Sequence, residues 1–361
     1  MKRSGCKSVI RLLFVHVVLI FSLSLYSADL DKKFSKEYDA TGIELLKISN
    51  RYGDVEIVNN NNNKIIIVVD VQLSHPNDSK AEKLLSMINV EFSENDNTIG
   101  ARTVIDRQFS FSSHGSQRKF SIDYYVEMPA EMNLKLSNKY GDLKAGDLSG
   151  HVNVMVKYGS IFIKSLSRGK VEPLNKVTAE YIRIGEIMDA GWLELDLRYA
   201  SKFNIANAQA LLIDSRYSTN NFIDEVSSVV IDSKYDRFEI NKLKNIVAES
   251  AYTSFHLGDV SKKLDIETRY GSIDVNNVKA GFELLRTNTE YCPIEVSFDE
   301  AASYKLKADT RYCGFKFNEK DADILNRIQE SYTMHIEAIV GDASTESEVN
   351  IKANYGSVKL Y

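Results

Sequence analysis

A tyrosine returns along this chain at nearly constant intervals, and this repeat constrains the fold more than any other feature of the sequence. The intervals are 18, 23, 18, 18, 18, 17, 18, 21 and 21 residues, between Tyr140, Tyr158, Tyr181, Tyr199, Tyr217, Tyr235, Tyr252, Tyr270, Tyr291 and Tyr312. Further copies surround Tyr52, in ISNRYGDVEI, and Tyr355, in IKANYGSVKL. A fixed period of this kind indicates a repeat architecture, in which one short unit stacks on the next.

Each copy alternates apolar and other residues on both sides of its tyrosine, as in VMVKYGSIFI and IETRYGSIDV. A period of two places successive side chains on opposite faces, which is typical of β-strands. The glycine or other small residue after the tyrosine permits a bend between two strands. Such a short unit cannot bury its apolar face alone, whereas parallel stacking of equivalent strands at roughly 4.8 Å does bury it.

The sequence therefore predicts an all-β fold, a single-stranded parallel β-solenoid (β-helix) with about 18 residues per coil. The usual crossover preference makes it right-handed. A β-sandwich also has alternating strands and frequent turns, but it gives no reason for one tyrosine to recur at this interval. We expect a structural ladder of tyrosines at the corner or on the inside of the solenoid, made of Tyr140, Tyr158, Tyr199, Tyr217, Tyr235, Tyr252, Tyr270, Tyr291 and Tyr312.

The first residues have the layout of a secretory signal peptide, because four basic residues precede an apolar run of about 15 residues and then small residues. We expect cleavage after residues 1–28, although a retained anchor is the alternative. No later segment is apolar enough to span a membrane. Cleavage would remove four of the 45 basic residues and leave 41 against 50 acidic ones, a formal charge of −9. A chain with a negative net charge is a poor candidate for nucleic-acid binding, which depends on neutralising phosphates.

The rest of the chain divides into three segments. They are an N-terminal β-rich cap and first coil with a short helix (29–132), the regular solenoid coils (133–318), and a helix-like insertion followed by the last coil (319–361). The first helix is predicted within SKAEKLLSMINVEFS, which begins at Ser79. The second is predicted because Ile324, Leu325 and Ile328 have helical spacing.

Charged residues repeat in two rows beside the tyrosines. Three positions before the tyrosine the copies carry Asp196, Asp214, Asp232, Glu249 and Glu267, and one position before it they carry Arg198, Arg216, Lys234 and Arg269. One interpretation is a catalytic acidic row, with Asp196, Asp214 and Asp232 acting on a polysaccharide. The other is mutual compensation, because each row of like charges would be repulsive without its neighbour.

Two cysteines, Cys292 and Cys313, directly follow repeat tyrosines. Equivalent places in adjacent coils would put their Cα atoms about 5 Å apart, within reach of a disulfide. Export would make oxidation possible. Direct parallel stacking strains such a bond, so a pair of free thiols is the alternative. A catalytic thiol is not expected, since no histidine repeats beside either cysteine.

Two stretches resemble the bacterial putative-adhesin family. They are YYVEMPAEMNLKLSNKYGDLKAGDLSGHVNVMVKYGSIFI and the closing VNIKANYGSVKLY, and the resemblance covers roughly residues 40–361. Members of that family are exported domains of unknown function that form a short β-solenoid with YGD- or YGS-like turns. The chain departs from the family where Ala200, Ser218, Asp236 and Thr253 replace the glycine. The resemblance implies adhesion or an envelope role, by analogy of fold alone.

The sequence lacks the short motifs of common enzyme and ligand sites, such as H-E-x-x-H, G-x-S-x-G, a phosphate loop or an EF-hand loop. We therefore expect no cofactor and no metal. The predicted function is a non-enzymatic scaffold or adhesin-like protein that is secreted, periplasmic or on the bacterial cell surface. Its partner would be an envelope polysaccharide or a protein. The alternatives are a polysaccharide-degrading β-helix enzyme, and a partner in envelope-stress sensing or signalling.

Overall fold

The described chain is all-β. A computed structural model describes residues 28–111 and 119–361, so the predicted signal peptide lies outside the described residues except for Ala28. In these two ranges the strands form one mixed sheet, accompanied by one α-helix and one short 3-10 helix. No helix within them is long and apolar enough to cross a membrane.

The N-terminal part combines parallel and antiparallel pairing. Its elements are β1 Ala28–Asp39, β2 Leu45–Arg51, β3 Val55–Asn59, β4 Lys64–His75, α1 Asp78–Ser86, β5 Ile88–Asn95, β6 Thr98–Ile105 and β7 Lys119–Met128. β4 pairs antiparallel with β1 and with β7, and β5 pairs antiparallel with β6. The first predicted helix is confirmed as α1, but Asn77 rather than Ser79 caps it, because the Asn77 side chain accepts the N–H of Lys80.

The regular part follows the tyrosine repeat. Its strands are β8 Asn133–Lys139, β9 Leu143–Leu148, β10 Val152–Lys157, β11 Ile161–Leu166, β12 Asn175–Glu180, β13 Gly185–Arg198, β14 Phe203–Arg216, β15 Asn221–Lys234, β16 Arg237–Ala251, β17 Ser254–Arg269, β18 Ser272–Val278, β19 Leu284–Glu290, β20 Pro293–Phe298, β21 Tyr304–Arg311 and β22 Gly314–Lys316. Equivalent residues of successive repeats pair in parallel, as Leu195, Ile213 and Ile231 do. These inward residues are buried and form the core, with the fully buried rings of Phe238 and Phe255 among them.

The turn after each strand has an unusual backbone at its tyrosine. The repeat tyrosines have φ values between 50° and 69°, in the left-handed region that costs most residues roughly 1–2 kcal/mol. The next residue approaches the preceding repeat closely, since a Cβ on Gly141 would lie 1.9 Å from the carbonyl oxygen of Gly53. In the repeats of Ala200 and Ser218 the turn is one residue longer than in the repeat of Gly141, and these side chains are buried.

The C-terminal segment contains four strands, and the helix-like insertion predicted there is wrong. After a 3-10 turn (Glu319–Asp321) come β23 Ala322–Gln329, β24 Thr333–Val340, β25 Glu348–Asn354 and β26 Ser357–Leu360. β23 pairs antiparallel with β24, and a register shift between Ile324 and Asn326 adds one residue to β23. This bulge interrupts the alternation of apolar residues and produces a spacing that imitates a helix.

The last two strands lie between strands that precede them in the chain. β25 pairs in parallel with β19 and with β21, and β26 pairs in parallel with β20 and with β22. The repeat of Tyr355 therefore separates the repeats of Tyr291 and Tyr312, although the latter two are consecutive in the sequence. The order of repeats along the sheet thus differs from their order along the chain.

Candidate functional site

The rings of the repeat tyrosines stack into one continuous row, here called the tyrosine ladder. In spatial order it contains Tyr52, Tyr140, Tyr158, Tyr181, Tyr199, Tyr217, Tyr235, Tyr252, Tyr270, Tyr291, Tyr355, Tyr312 and Tyr332. Neighbouring ring centroids lie 4.7–5.2 Å apart. The repeat tyrosines contribute one ring per parallel strand, and Tyr332, which precedes the antiparallel strand β24, adds the last ring. The ladder is therefore about 60 Å long.

The ladder lies on the outer surface of the molecule. From Tyr140 to Tyr355 the ladder tyrosines are 38–47% exposed. Because each ring face is covered by the next ring, solvent meets mainly the ring edges and the hydroxyl groups. The ladder consequently offers a row of hydroxyls about 5 Å apart rather than open faces on which sugar rings could stack.

Stacking compensates for the left-handed backbone. An aromatic pair contributes about 0.5–1.5 kcal/mol beyond the burial of its area. An interior ring such as that of Tyr217 stacks on two neighbours, Tyr199 at 5.1 Å and Tyr235 at 4.9 Å. The two contacts together are comparable with the cost of a positive φ at a residue with a Cβ. This balance explains how tyrosine can occupy a position that glycine would fill without strain.

Replacing Tyr217 tests this balance. We expect Tyr217→Ala to lower the free energy of unfolding by about 1–3 kcal/mol, because both stacked pairs are lost. Tyr217→Gly should lose about 1 kcal/mol less, since glycine adopts φ near 57° without a Cβ clash. Urea unfolding followed by circular dichroism measures both values. Equal losses would contradict the backbone argument, and no loss in Tyr217→Ala would contradict the stacking argument.

The three aspartates predicted as catalytic candidates lie directly above one another on the outer face. Asp196 pairs in register with Asp214, and Asp214 with Asp232. Arg198 contacts Asp196 at 2.8 Å and Asp214 at 3.1 Å, and Arg216 contacts Asp214 and Asp232, each at 2.9 Å. Each guanidinium thus bridges the carboxylates of two consecutive repeats. This geometry favours the interpretation of mutual compensation over that of acid–base chemistry.

Of the two alternatives for Cys292 and Cys313, a disulfide or free thiols, the structure has the free thiols. The repeat of Gly356 lies between them, so their Cα atoms are two strand spacings apart, about 9.6 Å. A disulfide cannot bridge Cα atoms more than about 7 Å apart. Burial raises the pKa of the Cys292 thiol to about 11 and also raises the pKa of the Cys313 thiol. Both thiols are therefore protonated at neutral pH and are poor nucleophiles.

A buried carboxyl group in one turn was not predicted as a special site. Asp236 occupies the place of the glycine after the tyrosine and is only 6% exposed. It accepts the backbone N–H of Ser218 at 2.6 Å and that of Lys234 at 3.2 Å. Burial nevertheless raises the pKa of Asp236 to about 6. The signal in the sequence was an acidic residue at a position that other repeats give to glycine.

The described residues contain no group of three or more His, Cys, Asp or Glu side chains that could hold a metal ion. The side chains that the structure arranges in regular rows are the tyrosines and the charged residues beside them. This surface can donate and accept hydrogen bonds, and it presents ordered charges at regular intervals.

Comparison with known proteins gives only distant matches. No family model and no curated protein sequence matches the chain. Among solved structures, a putative adhesin from Bacteroides fragilis is 12% identical, with 91% of this chain and 97% of that chain covered and a TM-score of 0.30. A putative cell adhesion protein from Clostridium sporogenes is also 12% identical, with coverages of 92% and 99% and a TM-score of 0.21.

A third solved structure, a putative lipid binding protein from Parabacteroides distasonis, is 9% identical, with coverages of 91% and 96% and a TM-score of 0.31. The descriptions of the first two proteins agree with the putative-adhesin resemblance that the repeat motifs indicate.

Proposed function

We propose that this chain is a non-enzymatic, exported scaffold or adhesin-like protein of the bacterial cell envelope, built as a right-handed β-solenoid. The tyrosine ladder is the observation that carries this proposal. It repeats the same tyrosine ring about every 5 Å along the turns at the ends of the parallel strands. Identical groups at a fixed spacing suit a partner that is itself repetitive, because many weak contacts then act together.

An envelope polysaccharide is the partner that fits this surface best. A polysaccharide presents hydroxyl groups at regular intervals, and phenol hydroxyls can both donate hydrogen bonds to them and accept hydrogen bonds from them. The layout of residues 1–28 supports export to the periplasm, the cell surface or the medium. A protein partner is the other outcome that the same rigid surface permits.

The enzyme alternative has less support. Catalytic carboxylates need one group to accept a proton and another to donate it, in environments that separate their pKa values. Asp196, Asp214 and Asp232 instead occupy equivalent positions, and each of them is paired with at least one arginine of the neighbouring row. No observation favours the signalling alternative specifically.

The test is retention of the purified protein on sacculi, on outer-membrane material and on a panel of polysaccharides, with release of reducing sugar or unsaturated product measured in parallel. We expect retention without product. A triple variant, Tyr199→Phe, Tyr217→Phe and Tyr235→Phe, keeps the stacked rings and removes three hydroxyls, so it should be retained less while its thermal stability is unchanged. Product formation would contradict the scaffold proposal, and so would failure to be retained on any of these materials.

A further inference from the structure

On one outer face of the first repeats, three neighbouring strands carry basic residues without acidic ones. We call this surface the basic face and define it by the last three outward positions of each of β2, β8 and β10. They are Lys47, Ser49 and Arg51, then Lys135, Ser137 and Lys139, then Asn153, Met155 and Lys157. The whole chain has a formal net charge of −5, so five bases and no acid at nine neighbouring positions is a local reversal of sign.

The parallel register arranges these bases in pairs. Lys47 is the direct neighbour of Lys135, and Arg51 is the direct neighbour of Lys139. Adjacent strands are about 4.8 Å apart, and four residues along a strand span about 13 Å. Two close pairs of cations are thus separated by about 13 Å, with the hydroxyls of Ser49 and Ser137 between them.

Four of the five bases lack an acidic partner. Lys157 contacts Glu180 at 2.6 Å, but Lys47, Arg51, Lys135 and Lys139 take part in no ion pair within residues 28–111 and 119–361. At equivalent positions in later repeats Arg198 and Arg216 are each bridged to two aspartates. Like charges directly opposite one another on neighbouring strands are destabilising. The chain therefore tolerates a repulsion in its first repeats that it neutralises elsewhere.

Two of these cations are held against the tyrosine ladder. The Arg51 guanidinium lies 4.9 Å from the ring centroid of Tyr52. The Lys139 ammonium lies 5.0 Å from the ring centroid of Tyr140 and 5.7 Å from that of Tyr158. A cation–π contact orders the side chain and leaves its charge available. These charges are therefore preorganised before an anion binds, which lowers the entropic cost of binding it.

We propose that the basic face binds a linear anionic polysaccharide. One acidic group of the polymer would lie between Lys47 and Lys135 and another between Arg51 and Lys139, while Ser49 and Ser137 contact sugar hydroxyls. A lipid surface fits less well, because the nine positions of the basic face include only one large apolar side chain, that of Met155, to insert into it. This inference rests on the proposed function, and it names the chemical class of the polymer and the end of the surface that recognises it.

The test compares the wild-type chain with a double variant, Lys47→Gln and Lys135→Gln. The probes are polygalacturonate, neutral dextran, and phosphatidylcholine vesicles with and without phosphatidylglycerol. We expect binding to polygalacturonate but not to dextran, with a Kd that rises with salt and rises roughly tenfold in the variant. The matched control is Lys244→Gln with Lys352→Gln, which removes the same charge from two exposed lysines of other repeats and should leave the Kd unchanged.

The outcomes separate this inference from the proposed function. Suppose that the protein is retained on envelope material but the double variant binds polygalacturonate with an unchanged Kd. This result would contradict binding at the basic face and would still support the scaffold proposal. An equal loss of affinity in the control variant would also contradict binding at the basic face, since net charge alone would then explain binding. Binding to the phosphatidylglycerol vesicles but not to polygalacturonate would replace the polymer with a lipid surface. No retention on any material would overturn both proposals.

Discussion

Replacing Phe238 by alanine is expected to lower the free energy of unfolding by about 3–5 kcal/mol, because the removal of a buried ring loses both its burial and its packing contacts. The ring is fully buried and lies 5.9 Å from that of Phe255 in the next repeat. Backbone pairing fixes Asn221 on one side of Phe238 and Phe255 on the other. The repeats therefore cannot close around the cavity, and little of the loss can be recovered by relaxation.

Urea unfolding of Phe238→Ala measures this loss, with Val230→Ala as the matched control. Val230 lies on β15, beside the repeat of Phe238, but its side chain points outward and is 46% exposed. The control should change the free energy of unfolding by about 0.5 kcal/mol or less. Similar losses in both variants would contradict the assignment of the core to the inward positions.

Stability is also expected to depend on pH through Asp236. The ordinary pKa of this carboxyl is 3.8, whereas burial raises it to about 6 in the folded chain. Between these two values the unfolded chain has lost the proton and the folded chain still holds it. The free energy of unfolding should therefore decrease as the pH rises from about 4 to about 6, by about 3 kcal/mol from this group alone, and should then level off.

The variant Asp236→Ser isolates this contribution. A serine hydroxyl in the same place of the preceding repeat, that of Ser218, accepts the N–H of Ala200, so Asp236→Ser should keep an acceptor for the N–H of Ser218. The stability difference between wild type and variant, measured by urea unfolding from pH 4 to pH 7, should show the decrease. Asp323→Ser replaces an exposed aspartate on β23 and should show none. A difference that is constant with pH would contradict the buried titration.

The sequence predicts the part of the fold in which one residue pattern recurs without interruption. Alternation around the repeat tyrosines identifies the strands and their inward residues, since the period of two is imposed by backbone geometry. The spacing of 18 residues identifies which residues become neighbours, as with Asp196 and Asp214. The contacts of Arg198 with both aspartates follow from that register and from the charges alone.

Features that depend on the ends of the sheet were not predictable in the same way. The bulge in β23 imitates helical spacing, and only pairing with β24 shows that the segment is extended. The pKa of Asp236 depends on burial, which a turn residue in a sequence does not reveal. The outward direction of the tyrosines depends on their left-handed backbone, which is rare for residues other than glycine.

The insertion of β25 and β26 between earlier strands determines when this end of the molecule can form. Lys359 contacts Glu295 across 64 residues of chain, so the contact joins segments that leave the ribosome far apart in time. Contacts of such long range are slow to form, because closing a long loop costs entropy before any pairing compensates for it. During synthesis β19 and β20 each keep one unpaired edge until β25 and β26 have been made. The late strands thus complete the sheet from within, and this part of the molecule is expected to fold after the regular repeats.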